Sequence, residues 1–201
     1  MSHLRPALVL LVLFTLLTGI AYPLAVTGLA RTLLSRQAGG GLVVEDGRVV
    51  GASLIGQAFT DARYVWPRPS ATTAPDPQDA GKTVDAPYNA ANSAGSNLGP
   101  TSKALAERLS ASAEALRTAG IAGPLPGDAL TTSASGLDPH VSPAFALAQV
   151  PRVARARGIG EEQVRRIVLA AIEERDWGLF GEPRVNVLAV NRSLDAAFAK
   201  P

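Results

Sequence analysis

The chain opens on an uninterrupted apolar stretch. From Pro6 to Ala30 no residue carries a charge, and Arg5 and Arg31 bracket the run. A helix over residues 6–30 rises roughly 37 Å, against roughly 30 Å of hydrocarbon in a bilayer. The pattern therefore predicts a transmembrane helix at 6–30, after a short tail at 1–5. The run continues well past Gly19, longer than the apolar core of a cleaved leader, which favours a permanent anchor. Thr15, Gly19, Pro23 and Thr27 recur every fourth residue. Small residues at that spacing let another helix approach closely, so Thr15, Gly19 and Thr27 are candidate partner contacts.

Beyond a linker at 31–41 the periodicity changes. Leu42–Glu45 and Arg48–Val50 are short β-rich runs on either side of Asp46-Gly47, the signature of a hairpin with a type I′ turn. Residues 67–100 are rich in Pro, Ala, Asn, Ser and Gly and show neither a helical nor a strand period. Thr101 or Ser102 then caps a helix with an apolar stripe at Leu105, Leu109, Ala113 and Leu116, which Gly120 stops. A second long loop spans Gly123–Val141. Ser142-Pro143 is a helix start, and Pro151 kinks or ends that helix. Gly160 opens another helix, with Val164, Ile167, Val168, Ala171 and Ile172 on one face. Arg184–Val190 reads as a strand, and Asn191 as the cap of a short last helix through Phe198. The fold class is α+β: one N-terminal transmembrane helix, then a single mixed α/β soluble domain with long loops over 42–201.

Composition removes several kinds of chemistry. With no cysteine there is neither a disulfide nor a thiolate site, and the two histidines, His3 and His140, lie far apart in sequence. A histidine-based metal centre is not expected. A formal net charge of +2 gives no footprint for nucleic acid. Walker A, GxGxxG, HExxH and GxSxG motifs are missing. Two loops retain some chemical interest. Ser93-Ala94-Gly95-Ser96-Asn97-Leu98-Gly99-Pro100 leads into a helix start, where glycine-rich backbone can cradle a phosphate. The alternative is that its glycines serve turns and packing. Asp138 and His140 share the second loop with Ser133 and Ser135, so a membrane-anchored extracytoplasmic hydrolase using Ser135 and His140 is the competing reading. Arg68 is suited to pair a carboxylate or to hold loop carbonyls.

Several segments together match a known pattern. They are Tyr22-Pro23-Leu24 with Thr27-Gly28, Ser53-Leu54-Ile55-Gly56-Gln57 with Phe59, and Arg68-Pro69-Ser70-Ala71. Gly95-Ser96-Asn97-Leu98-Gly99-Pro100-Thr101 and Ser135-Gly136-Leu137-Asp138-Pro139-His140-Val141-Ser142-Pro143 follow. Gln149, Arg152-Val153-Ala154, Gly181-Glu182-Pro183-Arg184-Val185-Asn186-Val187-Leu188 and Asn191 complete the set. In this order the chain resembles KdpC, the small subunit of the Kdp potassium-transporting P-type ATPase. Two departures stand out: Ala94 and Ala134 occupy positions where the family usually has glycine.

The resemblance implies an accessory, non-catalytic subunit of an ATP-driven potassium uptake pump in the inner (plasma) membrane, its folded domain outside the cytoplasm. The implied partners are a potassium-binding channel-like subunit, a P-type ATPase subunit, a small single-helix subunit and the lipid bilayer. It also implies a catalytic chaperone that raises the ATP affinity of the ATPase subunit, with ATP as the associated cofactor and Ser93, Gly95, Ser96, Asn97 and Gly99 as nucleotide-loop candidates. Arg68, Asp138 and His140 join the partner-contact candidates. The local Arg count, one before the helix and two after it, leaves the side of the membrane open.

Overall fold

The computed structural model describes residues 3–79 and 81–198. The chain divides into two units, the first ending at Ala52 and the second beginning at Ser53.

The first unit is dominated by a continuous helix, Leu4–Leu33, of 30 residues. At 1.5 Å per residue it is about 45 Å long, enough to cross a bilayer with tilt. No residue in its most apolar window is buried by the rest of the chain. Leu8, Leu11, Phe14 and Leu24 are exposed around it, as expected for a helix whose apolar environment comes from elsewhere. It comprises α1 (Leu4–Leu16), a π-helical turn (Leu17–Ala21) and α2 (Tyr22–Leu33). Pro23 explains the middle piece. Its ring removes the N–H that would reach Gly19 and crowds that carbonyl. Widening the preceding turn relieves the crowding, and the Tyr22 N–H bonds five residues back to Leu17 O. A short α3 (Ser35–Ala38) follows, with Gly40 and Gly41 at positive φ. Strands β1 (Leu42–Glu45) and β2 (Arg48–Ala52) then pair antiparallel. Asp46 and Gly47 have φ of 47° and 75°, the two left-handed residues a type I′ turn requires.

The second unit holds the core. A small sheet runs in the order β5 (His140–Val141), β7 (Arg184–Asn186), β6 (Ile172–Glu173), all antiparallel. Helices α6 (Pro143–Ala148), α7 (Val150–Arg157), α8 (Glu161–Ala170) and α9 (Val187–Ala197) supply most of the remaining core. Val141 and Val185 from the sheet join Phe145, Val153, Val164, Val168, Val190 and Leu194 from the helices, all at most 2 % exposed. Valines, Leu194 and one Phe make up this set, in keeping with a chain in which aromatics are only 5 %. Helix α4 (Lys103–Thr118) lies at its margin, and Leu116 alone of its expected stripe is buried. Leu105, Leu109 and Ala113 are half-buried.

Helix boundaries follow local chemistry. Ser142 caps α6, its hydroxyl accepting from the Phe145 N–H at 3.1 Å. Pro151 falls in the first turn of α7, so α6 and α7 are separate helices meeting at Gln149. At the start of α8 the Gln163 side chain accepts from the Gly160 N–H at 3.0 Å.

Four expectations need correction. The run Arg184–Val190 is not one strand: β7 ends at Asn186, whose side chain accepts from the Ala189 N–H at 3.0 Å and starts α9. Val187, Leu188 and Val190 are all buried, so an apolar run cannot distinguish strand from helix there. Asn191 therefore lies within α9 rather than at its cap. The segment 67–100 is not wholly irregular, since β3 (Thr73–Pro75) and β4 (Thr83–Asp85) form a three-residue ladder. It is too short and too exposed to leave a period in the sequence. Between Gly123 and Val141 lie α5 (Gly127–Leu130) and β5, also below the length at which periodicity shows.

Candidate functional site

The polar residues of the second unit gather where irregular segments meet the helical core. The deepest group holds residues 62–66. Asn191, 1 % exposed, accepts from the Val65 N–H at 2.7 Å and donates to the Val65 carbonyl at 2.9 Å. Gln149, fully buried, does the same for Trp66, at 2.8 and 3.1 Å. Each amide thus acts as a strand neighbour for one residue that has no sheet to join. Arg152 completes the clip. Its guanidinium donates to Ala62 O at 2.8 Å, Tyr64 O at 2.7 Å and Gln149 Oε1 at 2.7 Å, and lies over the Trp66 ring at 3.8 Å. Burial brings its pKa down to about 10, with only the charge of Asp61 opposing. Carbonyls and a π-face replace water around this cation.

The second group joins the two long loops. Arg68 donates to Asp138 Oδ2 at 2.9 Å and to the carbonyls of Thr131 and Thr132, each at 3.3 Å. The other Asp138 oxygen accepts from the His140 N–H at 3.0 Å and faces His140 Nδ1 at 3.5 Å. Burial opposes ionisation of Asp138, but the hydrogen bonds from His140 and Arg68 outweigh it and hold the carboxyl below the ordinary range. Ser70 Oγ donates to Gly136 O at 2.8 Å and accepts from the Tyr88 N–H at 3.1 Å. The Tyr88 hydroxyl returns to Arg68 O at 2.7 Å. Burial, followed by the Asp138 charge, pushes this phenol well above its usual pKa. Arg68, Asp138 and His140 line a cleft of about 410 Å³ together with Asp128, Ser142 and Arg184.

The glycine-rich loop closes against this clasp. The Ala94 N–H donates to Ser135 O at 2.9 Å, and Ser93 Oγ reaches the same carbonyl at 3.1 Å. A Cβ at Gly95 would lie 2.7 Å from Ala134 O, and one at Gly136 would lie 2.5 Å from Ala94 O. These glycines let two backbones touch. Asn97 takes a left-handed φ of 51°, Ser96 is half-buried beside it, and Gly99 faces open space. Lys103, the nearest cation along the sequence, pairs with Glu107 at 3.4 Å. A phosphate cradle needs several convergent N–H groups directed outward. Here the Ala94 N–H points into the neighbouring loop and Ala134 O fills the room at Gly95, so these two positions serve loop-to-loop packing.

The serine and histidine of the hydrolase reading each have other partners. Ser135 Oγ accepts from the Leu137 N–H at 3.1 Å and sits 3.4 Å from Ser133 Oγ, while the His140 ring faces Asp138. Asp128 binds the N–H and hydroxyl of Ser142, at 2.6 and 2.8 Å, and so belongs to the α6 cap. Among the described residues no cluster of His, Asp or Glu could hold a metal ion. Thr15, Gly19 and Thr27 lie exposed on the long helix, and a Cβ at Gly19 would meet nothing within 4 Å. A row at every fourth residue drifts about 40° around an α-helix per step. The wider π turn at Leu17–Ala21 reduces that drift and keeps these small residues closer to one face.

Sequence reading missed the second role of the side chains. Gln149, Arg152 and Asn191 stood out as motif members, but nothing local links Asn191 to Val65 across the chain. A buried Gln or Asn in an apolar helix is the signal that points to such a clip.

Among the described residues these features define a protein with one helix long and apolar enough to cross a membrane and a domain whose polar side chains hold its own loops. Comparison with known proteins makes this specific: the chain belongs to the KdpC family. The family model described as "K+-transporting ATPase, c chain" matches residues 4–196. The chain is 60 % identical over 200 residues to the potassium-transporting ATPase KdpC subunit of Methylobacterium nodulans, covering 100 % of both chains. It is 58 % identical over 197 residues to the corresponding subunit of Rhodopseudomonas palustris strain BisB18, covering 98 % of this chain and 99 % of that one.

Proposed function

We propose that this chain is an accessory, non-catalytic subunit of a potassium-transporting P-type ATPase, anchored by its N-terminal helix and carrying its folded domain outside the cytoplasm. The observation that carries the reading is the end-to-end family match, which includes the apolar helix as well as the domain. The domain's internal use of Arg68, Asp138, Ser135 and the Gly95 loop supports a binding role over hydrolysis. The helix face at Thr15, Gly19 and Thr27 and the cleft at Arg68, Asp138 and His140 serve as contacts to the channel-like, ATPase and small single-helix subunits. No acidic residue lies between Leu4 and Leu33, so potassium passes through a partner rather than along this helix.

In this reading the chain raises the ATP affinity of the ATPase subunit through assembly, without a nucleotide of its own. The test is the KM for ATP of the pump purified with and without this chain. Loss of the chain is expected to raise KM severalfold; an unchanged KM refutes the chaperone role. Side of the membrane is read separately. With no native cysteine, Gly99→Cys introduces a single thiol at a position with open space. Labelling of intact cells by an impermeant maleimide supports an outside domain. Labelling only after lysis refutes it, provided that the detergent-solubilised complex shows the thiol is not covered.

A further inference from the structure

The hairpin joining β6 to β7 ends in an apolar tip that the domain does not cover. Trp177 is 92 % exposed, Leu179 70 % and Phe180 56 %. Three large apolar side chains among four consecutive residues are thus left mostly open to solvent. Trp177 packs edge-on against Phe180, ring centroids 5.9 Å apart, so the aromatic pair stands on itself.

The tip is built rather than loose. Asp176 and Phe180 exchange both backbone hydrogen bonds, at 2.9 and 3.0 Å. The Gly178 N–H closes back on Arg175 O at 2.9 Å. Below the tip Arg175 pairs with Glu182, and Arg184 with both Asp176 and Glu173. Trp177 itself has φ of 55°, a conformation a bulky residue rarely adopts and one that stiff surroundings must impose. The backbone that carries the side chain is thereby ordered before docking, which lowers the entropy lost on binding.

Charge selects the kind of surface that receives it. The stretch 173–184 carries four acidic residues, Glu173, Glu174, Asp176 and Glu182, against two basic ones, Arg175 and Arg184. Segments that settle on membranes flank their apolar residues with Lys and Arg, and anionic headgroups repel a net negative stem. A protein pocket with an apolar floor and a basic rim complements both features.

We propose that residues 176–180 are an aromatic plug that inserts into an apolar, Lys/Arg-rimmed pocket on another subunit of the assembly. The inference rests on the subunit reading above. It is tested with the full chain in the assembled complex, carrying a benzoylphenylalanine photocrosslinker at Trp177. Irradiation is expected to join this chain to another protein subunit. Adducts with lipid alone, or no protein adduct while the chain still co-purifies with the pump, overturn the plug and leave the subunit reading intact. Failure of the unmodified chain to co-purify overturns both. Independently, the Trp177→Ala/Phe180→Ala variant should weaken retention in the complex by about 30-fold or more. Its melting temperature should stay at the wild-type value because the tip contributes nothing to the core. Wild-type retention of that variant refutes the proposal.

Discussion

Replacing Asn191 by Ala tests the central structural claim, that helix side chains stand in for a missing strand. The substitution removes two hydrogen bonds, to the N–H and the carbonyl of Val65, both inside a buried environment. Each bond contributes only about 1 kcal/mol net, but each leaves a backbone group without a partner, at roughly 1–3 kcal/mol apiece. The expected loss is therefore about 2–5 kcal/mol, a large fraction of the roughly 5–15 kcal/mol that stabilises an ordinary domain. At roughly 2–4 °C per kcal/mol for a chain of this size, the melting temperature should fall by about 5–15 °C. The assay is thermal unfolding of the detergent-solubilised full chain, followed by circular dichroism. Amide exchange at Val65 should accelerate at least as much as global opening does. A loss below about 1 kcal/mol, with Val65 still protected, would mean that water or another group replaces the amide, and the strand-surrogate argument would fail.

Gly136→Ala should destabilise by about 2–4 kcal/mol in the same melt, combining a left-handed φ of 68° with a Cβ driven against Ala94 O and Thr72. Gly99→Ala, with open space at its Cβ, should stay within about 0.5 kcal/mol of wild type. Arg152→Lys should cost about 3 kcal/mol or more, since an ammonium cannot reach Ala62 O, Tyr64 O and Gln149 Oε1 together while stacking on Trp66. A red shift of Trp66 fluorescence in a Trp177→Phe background would report the loss. Asp138 has a carboxyl held below its unfolded value, so its stabilisation is present above about pH 3.9 and is lost as pH falls through the lower folded value. An acid titration of stability should therefore be steeper in wild type than in Asp138→Asn over that window.

Much of this architecture is visible in the residue pattern because it is set locally. The charge-free run, Asp46-Gly47, Ser142-Pro143 and Gly160 each act within a few residues, and each marks the element expected. What stays hidden depends on partners far along the chain. Asn186 and Asn191 are both suited to cap a helix. The choice of Asn186 follows from β7 pairing with β5 and β6 up to that residue, and from Asn191 being claimed by Val65. The ladder of β3 and β4 has three pairs and little burial, so its hydrogen bonds leave no hydrophobic signature. Arg68 was legible as a holder of loop carbonyls or a carboxylate and does both. Its particular carboxylate, from Asp138, is a tertiary fact.

The two alanines that depart from the usual family pattern explain the glycines that remain. Ala94 and Ala134 each present a carbonyl to the opposite loop: Ala134 O covers Gly95, and Ala94 O covers Gly136. The contact is reciprocal, backbone on backbone, and it constrains the glycine under each carbonyl rather than the residue that supplies it. Positions 94 and 134 carry a methyl group in this chain, whereas one at 95 or 136 would enter the opposing carbonyl. Gly95 and Gly136 are thus accounted for by loop-to-loop packing, while Gly99 faces open space. That packing joins residues 68–72, 88–97 and 131–142 into one clasp held by the domain's own hydrogen bonds.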